Sequence, residues 1–213
     1  DIALPGAEAY SREGEVTDNN VRASLELASS TQVSDRPIDI ALWGEGSVDR
    51  DPLTFPAIGR AVDSAAVALD APILIGYTNV NERDRVKNWL AGWEAGTGMD
   101  EASRYSKHVP VPFGEFIPFR DFIASFATEV AQSSRDMEAG DEPPVMTIEA
   151  RDGRSVPLAV GICFEAAYPL VIGEGVTRGG QAIIVPSNNY HFRSSGESAQ
   201  QGQLLRMRAM EYS

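Results

Sequence analysis

Short apolar runs alternate with amphipathic stretches along most of the 213 residues. Val21, Leu25 and Ala28 recur at helical spacing and predict a helix over residues 15–30, with Thr17 or Asp18 as its cap. Pro37 resets the chain, and residues 38–43 read as a short strand. Ile58, Val62, Ala65, Ala66 and Leu69 lie on one face of a second helix over residues 56–69. Residues 72–77 form the next buried strand, 82–85 a charged turn, and 86–93 a further strand closed by Gly96-Thr97-Gly98. Residues 105–118 carry three prolines and a glycine, which exclude a regular helix and predict a stiffened loop.

A short amphipathic helix is expected over residues 119–130, then an acidic, polar loop over 131–144 that lacks apolar anchors and should move. Residues 145–150 and 156–163 flank Asp152-Gly153 and read as a β-hairpin. A helical segment over 170–176, a buried strand over 181–186 and a helix over 198–210 complete the chain. Strand, helix, strand is an α/β signal, and the hairpin makes part of the sheet antiparallel. Neither a repeat nor a linker interrupts the pattern, so residues 1–213 read as one domain.

Charge narrows the partners. Thirty-one acids against 18 bases give a net charge of −13, which argues against nucleic acid and against electrostatic attraction to anionic lipid. One cysteine and two histidines cannot build an internal disulfide or a Cys/His zinc cage. No apolar run approaches the 18 residues or so needed to span a bilayer. The opening Asp1-Ile2-Ala3-Leu4-Pro5 reads as the tail of something already under way, and the chain stops within or just after a helical pattern, so a piece of a longer protein is expected.

Three segment ends offer chemistry. Cys163 follows the apolar run 158–162, where a strand leaves the core, and Glu165 stands two residues on. A lone cysteine more often only packs. Glu45 lies between Gly44 and Gly46 at the end of the first strand, a position that also suits a solvated turn acid. Lys107 and Glu115 sit eight residues apart in the stiff loop, where Phe113 and Phe116 either plug the core edge or serve a site. Thiol, carboxylate and ammonium are the parts of nucleophilic acyl chemistry: nucleophile, proton acceptor and oxyanion support.

In chain order, Glu45, Lys107 and Cys163 resemble the triad of the carbon–nitrogen hydrolase (nitrilase) superfamily. Tyr105-Ser106-Lys107 with Val111-Pro112-Phe113-Gly114-Glu115-Phe116-Ile117-Pro118 resembles the lysine loop of apolipoprotein N-acyltransferases. Ile162-Cys163-Phe164-Glu165 is similar to that family's cysteine elbow, usually Cys-Tyr-Glu. Ser187-Asn188-Asn189, Phe192, Gln201 and Arg206-Met207-Arg208-Ala209-Met210-Glu211 resemble the loop and helix that follow. Gly44 departs from the usual Trp-Pro-Glu, and Phe164 and Tyr190-His191 depart from the usual aromatic words. Gly44 loosens the expected base loop; the other departures bear on substrate preference.

The resemblance implies a four-layer αββα sandwich lacking its first and last strands in this chain. It implies Glu45 as general base, Lys107 as stabiliser of oxyanion and thiolate, Cys163 as nucleophile, and Glu115 and Glu165 as further essential acids. Trp43, Phe164, Phe113 and Phe116 would line the substrate pocket. The implied reaction moves an acyl chain from a phospholipid to Cys163, then to the N-terminal amine of a diacylglyceryl lipoprotein, without metal or organic cofactor. The implied setting is the extracytoplasmic face of a bacterial cell membrane, reached through segments outside this chain. A soluble amidase or nitrilase using the same triad, and a non-catalytic binding domain of this fold, are the competing readings.

Overall fold

The structure is a computed structural model that describes residues 14–30, 36–120, 135–192 and 195–213. Side-chain alternation along two central strands sets its layers. In β2 (Ile73–Val80), Ile73, Ile75 and Tyr77 enter one apolar core and Leu74 enters the other. In β3 (Val86–Glu94), Trp89, Ala91 and Trp93 oppose Leu90 in the same way.

The first core is closed by α1 (Glu15–Ala28) and α2 (Pro56–Leu69), through Val21 and Ala28 of one and Val62, Ala65, Ala66 and Leu69 of the other. The second core lies between two sheets. One has the order β1-β2-β3-β4, where β1 is Ala41–Leu42 and β4 is Gly98–Ser106. The other has the order β5-β6-β7, formed by Val145–Glu149, Ser155–Val160 and Ala182–Ile184. Tyr105, Met146, Ile148, Leu158 and Val160 fill the space between them. Beyond the second sheet, α3 (Pro169–Thr177) lies so close that a side chain on its Gly175 would meet Ala159 at 3.0 Å. Helix, sheet, sheet, helix is the αββα sandwich expected from the sequence.

Pairing is parallel for β1–β2 and β6–β7 and antiparallel elsewhere. The hairpin forms around Asp152-Gly153, with Gly153 at φ 79° and Met146 opposite Leu158. The second helix has the expected bounds. Three expectations change. Gly14, not Thr17 or Asp18, occupies the cap of α1, at φ 89°. Thr17 is buried instead, and its hydroxyl and backbone N–H both donate to Asp49 at 2.7 Å, which fastens α1 to the loop after β1. β4 begins at Gly98 and takes in Tyr105 and Ser106, which the sequence assigns to the loop. The chain 182–184 is half-exposed rather than buried. Of the helix expected over 119–130, residues 121–130 lie outside the described residues.

The acidic segment has anchors after all in its described part, 135–144. Asp136 is buried and accepts bonds from Ile117 N–H at 3.0 Å, Arg85 at 2.5 Å and Arg120 at 2.8 Å. Met137 N–H donates to Glu115 O at 2.7 Å, and Gly140 N–H to Lys107 O at 2.8 Å. The bond from Arg120, set against the cost of burial, holds the Asp136 carboxyl down at about 2, below its ordinary 3.8. A carboxyl depressed by folding stabilises above its unfolded value, and that stability is lost as pH falls through the folded value. Urea midpoints are therefore expected to fall between about pH 4 and pH 2, and Asp136→Asn to flatten that part of the curve while lowering the midpoint at pH 7.

Candidate active site

Four loops meet at one end of the two sheets. They follow β1, β4, β6 and β7, and they carry Glu45, Lys107, Cys163 and Ser187-Asn188 respectively. The Glu45 loop passes so near β2 that a side chain at Gly76 would meet Gly44 O at 2.7 Å and Gly46 N at 2.9 Å. Glycine at 76 is what permits the crossing. The loop is tied down on both sides of Gly44. Trp43 N–H donates to Leu74 O at 2.9 Å, Val48 N–H donates to Gly76 O at 3.0 Å, and the Ser47 hydroxyl accepts from Gly76 N–H at 3.0 Å. The loosening expected from Gly44 is offset by these bonds.

Lys107 continues the β4 ladder, its N–H donating to Asn88 O at 2.9 Å, and its side chain is wholly buried. Its Nζ donates to Glu115 Oε1 at 2.7 Å and lies 3.5 Å from Glu45 Oε1. Burial draws the ammonium down, but the carboxylates of Glu45 and Glu115 outweigh it and hold it above the ordinary lysine range. Glu115 is fixed in turn, with Val111 N–H donating to its other oxygen at 2.7 Å. Glu45 accepts from Asn88 Nδ2 at 2.8 Å and from Asn188 N–H at 3.1 Å.

Cys163 follows Gly161-Ile162 and opens a 3-10 turn, Cys163–Ala167. Its φ of 53° is left-handed, an uncommon state for a residue with a Cβ and one that costs about 1 kcal/mol. The strained corner turns a half-buried thiol into the junction between the sheets, as nucleophile elbows do. Cys163 N–H donates to Pro186 O at 2.9 Å, joining the corner to the loop after β7. Burial and the Glu45 carboxylate push the thiol up, against the pull of the Lys107 charge. The resting pair is a protonated thiol beside a proton acceptor, with a buried cation at hand. That arrangement can release a thiolate onto a carbonyl and support the oxyanion that results.

Glu165 is fully buried and makes no bond to Cys163. Its Oε1 accepts from His108 N–H at 2.7 Å and Val109 N–H at 3.0 Å, and its Oε2 from Ile162 N–H at 2.7 Å. Tyr105 donates its hydroxyl to both oxygens at 3.0 Å. Burial raises this carboxyl although every one of these bonds opposes the shift. Glu165 thus clamps the backbone beyond Lys107 to the backbone before Cys163. Glu165→Gln keeps one acceptor and turns an amide against donors. It is expected to cost about 2–4 kcal/mol in urea unfolding and to lower activity at least tenfold, with Cys163 still present.

Trp43, expected in the pocket, is buried in the core between the first sheet and its helices, and its Nε1 donates to Ser24 Oγ at 3.1 Å. Alternation along β1 turns its ring away from the loop that carries Glu45. Phe164 is about one-third exposed and packs edge-on against Tyr168 at 5.3 Å. Phe113 is three-quarters exposed at φ 62°, and Phe116 is half-buried, with its O accepting from Phe113 N–H at 2.7 Å. These three remain at the surface around the lysine loop and the cysteine turn. Asn88, which holds Glu45, leaves a legible sign in the sequence: an asparagine just before the apolar run of β3 is buried with it, and a buried amide needs a partner.

No family model matches the chain. It is 32% identical to an apolipoprotein N-acyltransferase of Mycolicibacterium smegmatis, over 97% of this chain and 34% of the relative. Proteins of the same name from Vibrio parahaemolyticus and Pseudomonas aeruginosa are 27% and 26% identical, over 81% and 91% of this chain and 34% and 37% of theirs. The chain therefore spans about a third of the length of these curated relatives. Among solved structures, a carbon–nitrogen hydrolase from Helicobacter pylori superposes with a TM-score of 0.64 at 13% identity, covering 94% of this chain and 65% of that one. An amidase from Nesterenkonia sp. gives 0.61 at 14%, covering 92% and 67%.

Proposed function

This chain is a homologue of apolipoprotein N-acyltransferases and has the fold of carbon–nitrogen hydrolases, and from that premise we propose that it is the catalytic domain of a lipoprotein N-acyltransferase. The observation that carries the reading is the wholly buried Lys107 ammonium, 3.5 Å from Glu45 and 2.7 Å from Glu115, at the corner where Cys163 is held in a strained conformation.

In the first half-reaction Glu45 takes the thiol proton as Sγ attacks an acyl ester of a phospholipid. Lys107 supports the oxyanion, and the lysophospholipid leaves with the proton. A thioester on Cys163 remains. In the second, the α-amine of a diacylglyceryl cysteine attacks the thioester, Glu45 accepts its proton, and the amide forms as sulfur departs. Glu115 positions the ammonium and Glu165 the two backbones. The exposed rings of Phe113 and Phe164 offer apolar surface to acyl chains. No helix among the described residues is long and apolar enough to cross a membrane. In this reading residues 1–213 are one domain of a longer protein of the bacterial cell membrane, facing the extracytoplasmic side.

The test is mass spectrometry of the purified protein after exposure to phospholipid vesicles. An acyl adduct on the Cys163 peptide, consumed on adding a diacylglyceryl peptide, is the expected result. No adduct, together with hydrolysis of small amides, would instead assign the site to amidase chemistry.

A further inference from the structure

Gln201 lies in α4 (Glu197–Glu211), which packs against the turn Cys163–Ala167. It is one of the few buried polar residues of that helix, about nine-tenths removed from solvent. An amide nitrogen has two hydrogens to give. Gln201 Nε2 donates to Ser187 Oγ at 2.8 Å and reaches Cys163 Sγ at 3.6 Å, within hydrogen-bond range for sulfur. Ser187 precedes Asn188, whose N–H holds Glu45. The glutamine therefore links the nucleophile to the loop that fixes its base. Its Oε1 is buried and has no hydrogen-bond partner among the described residues. An amide kept half-satisfied in a buried place is a cost that packing alone does not explain.

The chemistry gives that donor a task. Lys107 is a cation that acts on the thiol, yet its ammonium is shared between two carboxylates. A neutral N–H aimed at sulfur adds support without attracting a third acid. We propose that Gln201 is a further catalytic residue, whose amide N–H stabilises the negative charge on Cys163 Sγ when the sulfur attacks and again when it departs. The second use rests on the acyl-transfer reading. There the amine nitrogen bonds to the carbonyl carbon, the C–S bond breaks, and its electron pair returns to Sγ. The amine's proton passes through Glu45 to the sulfur. Among the groups around the thiol, Lys107 and the Gln201 amide favour its charged form, against burial and Glu45.

The test follows Cys163 alkylation by iodoacetamide in the purified protein across about pH 4–10, a range that takes in the ordinary titration of a glutamate, read on the Cys163 peptide by mass spectrometry. It needs no acyl substrate. Gln201→Met fills the same space without a donor and is expected to slow alkylation about tenfold at neutral pH. Gln201→Glu is expected to slow it further at neutral pH, its ratio to wild type rising toward one as acid protonates the new carboxyl. A residue that merely fills space would not produce that pH-dependent ratio. Alkylation of both variants within twofold of wild type across the range, with unchanged thermal unfolding, overturns the proposal. If Gln201→Met does not fold, the ratio for Gln201→Glu decides alone. Slowed alkylation in a protein that never transfers acyl groups would keep Gln201's role and remove the acyltransferase reading. Acyl transfer with unaltered alkylation would do the reverse.

Discussion

Cys163→Ala is expected to stop acyl transfer, by about 10⁴-fold or more, while leaving the fold in place. The two halves of that expectation have separate physical grounds. The thiol is the one sulfhydryl of the chain, and no serine or threonine hydroxyl is bonded to Glu45 among the described residues, so nothing takes over attack on the carbonyl. Stability changes little, because alanine removes a single half-buried sulfur atom, which accepts a bond from Gln201. The left-handed φ of 53° is no harder for alanine than for cysteine, and the Cys163 N–H bond to Pro186 O survives. The measurements are transfer to a diacylglyceryl peptide, the acyl adduct on the Cys163 peptide, and the thermal midpoint, expected within a few degrees of wild type. A variant that still transfers at a tenth of the wild-type rate would assign the nucleophile elsewhere.

Much of this site was legible in the sequence because strand ends are. Glu45 and Cys163 each follow an apolar run, Lys107 opens the proline-stiffened loop, and a strand that ends there delivers its next side chain to the rim of a sheet. The direction of a side chain was less legible. Trp43 belongs to the same word as Glu45, and on a straight strand residues two apart would share a face; but β1 ends at Leu42 and the chain turns at Glu45-Gly46, so the ring joins the helix-side core while the carboxylate goes to the rim. β4 is hard to read because Gly98 to Arg104 is largely polar; it is a strand by pairing with β3, and its Tyr105 reaches deep into the core. Thr17 shows a related limit. Its type suits a cap, yet Asp49, thirty-two residues away, offered it a stronger partner. Glu165 was legible as needed but not as a clamp, because its five bonds go to backbone and to Tyr105 across the fold.

Lys107→Met is expected to fail both as catalyst and as structure. Methionine fills the same buried space with a similar length of chain, so the loss is one of charge. Glu45 and Glu115 would then face each other without the ammonium that lies 3.5 Å from one and 2.7 Å from the other. Removing one member of a buried ionic group costs about 3–5 kcal/mol, since the partners stay desolvated and unpaired. Loss of oxyanion support alone costs about 10²–10³-fold in rate, and the thiolate also loses its neighbouring cation. The pH dependence separates this from a packing defect. The folded ammonium titrates above its unfolded value of 10.5, so its stabilisation is complete below 10.5 and is lost as pH rises through the folded value. Wild-type urea midpoints should therefore fall in that alkaline range, and the variant, already lower at pH 7, should fall less. Tyr77, Tyr105 and Cys163, each raised by burial, also titrate in the alkaline range, so the lysine's part is read from the difference between the two curves and not from the wild-type curve alone. Parallel curves for the two proteins would show that the ammonium contributes nothing to stability, and with it would go the claim that Glu45 and Glu115 hold it in place.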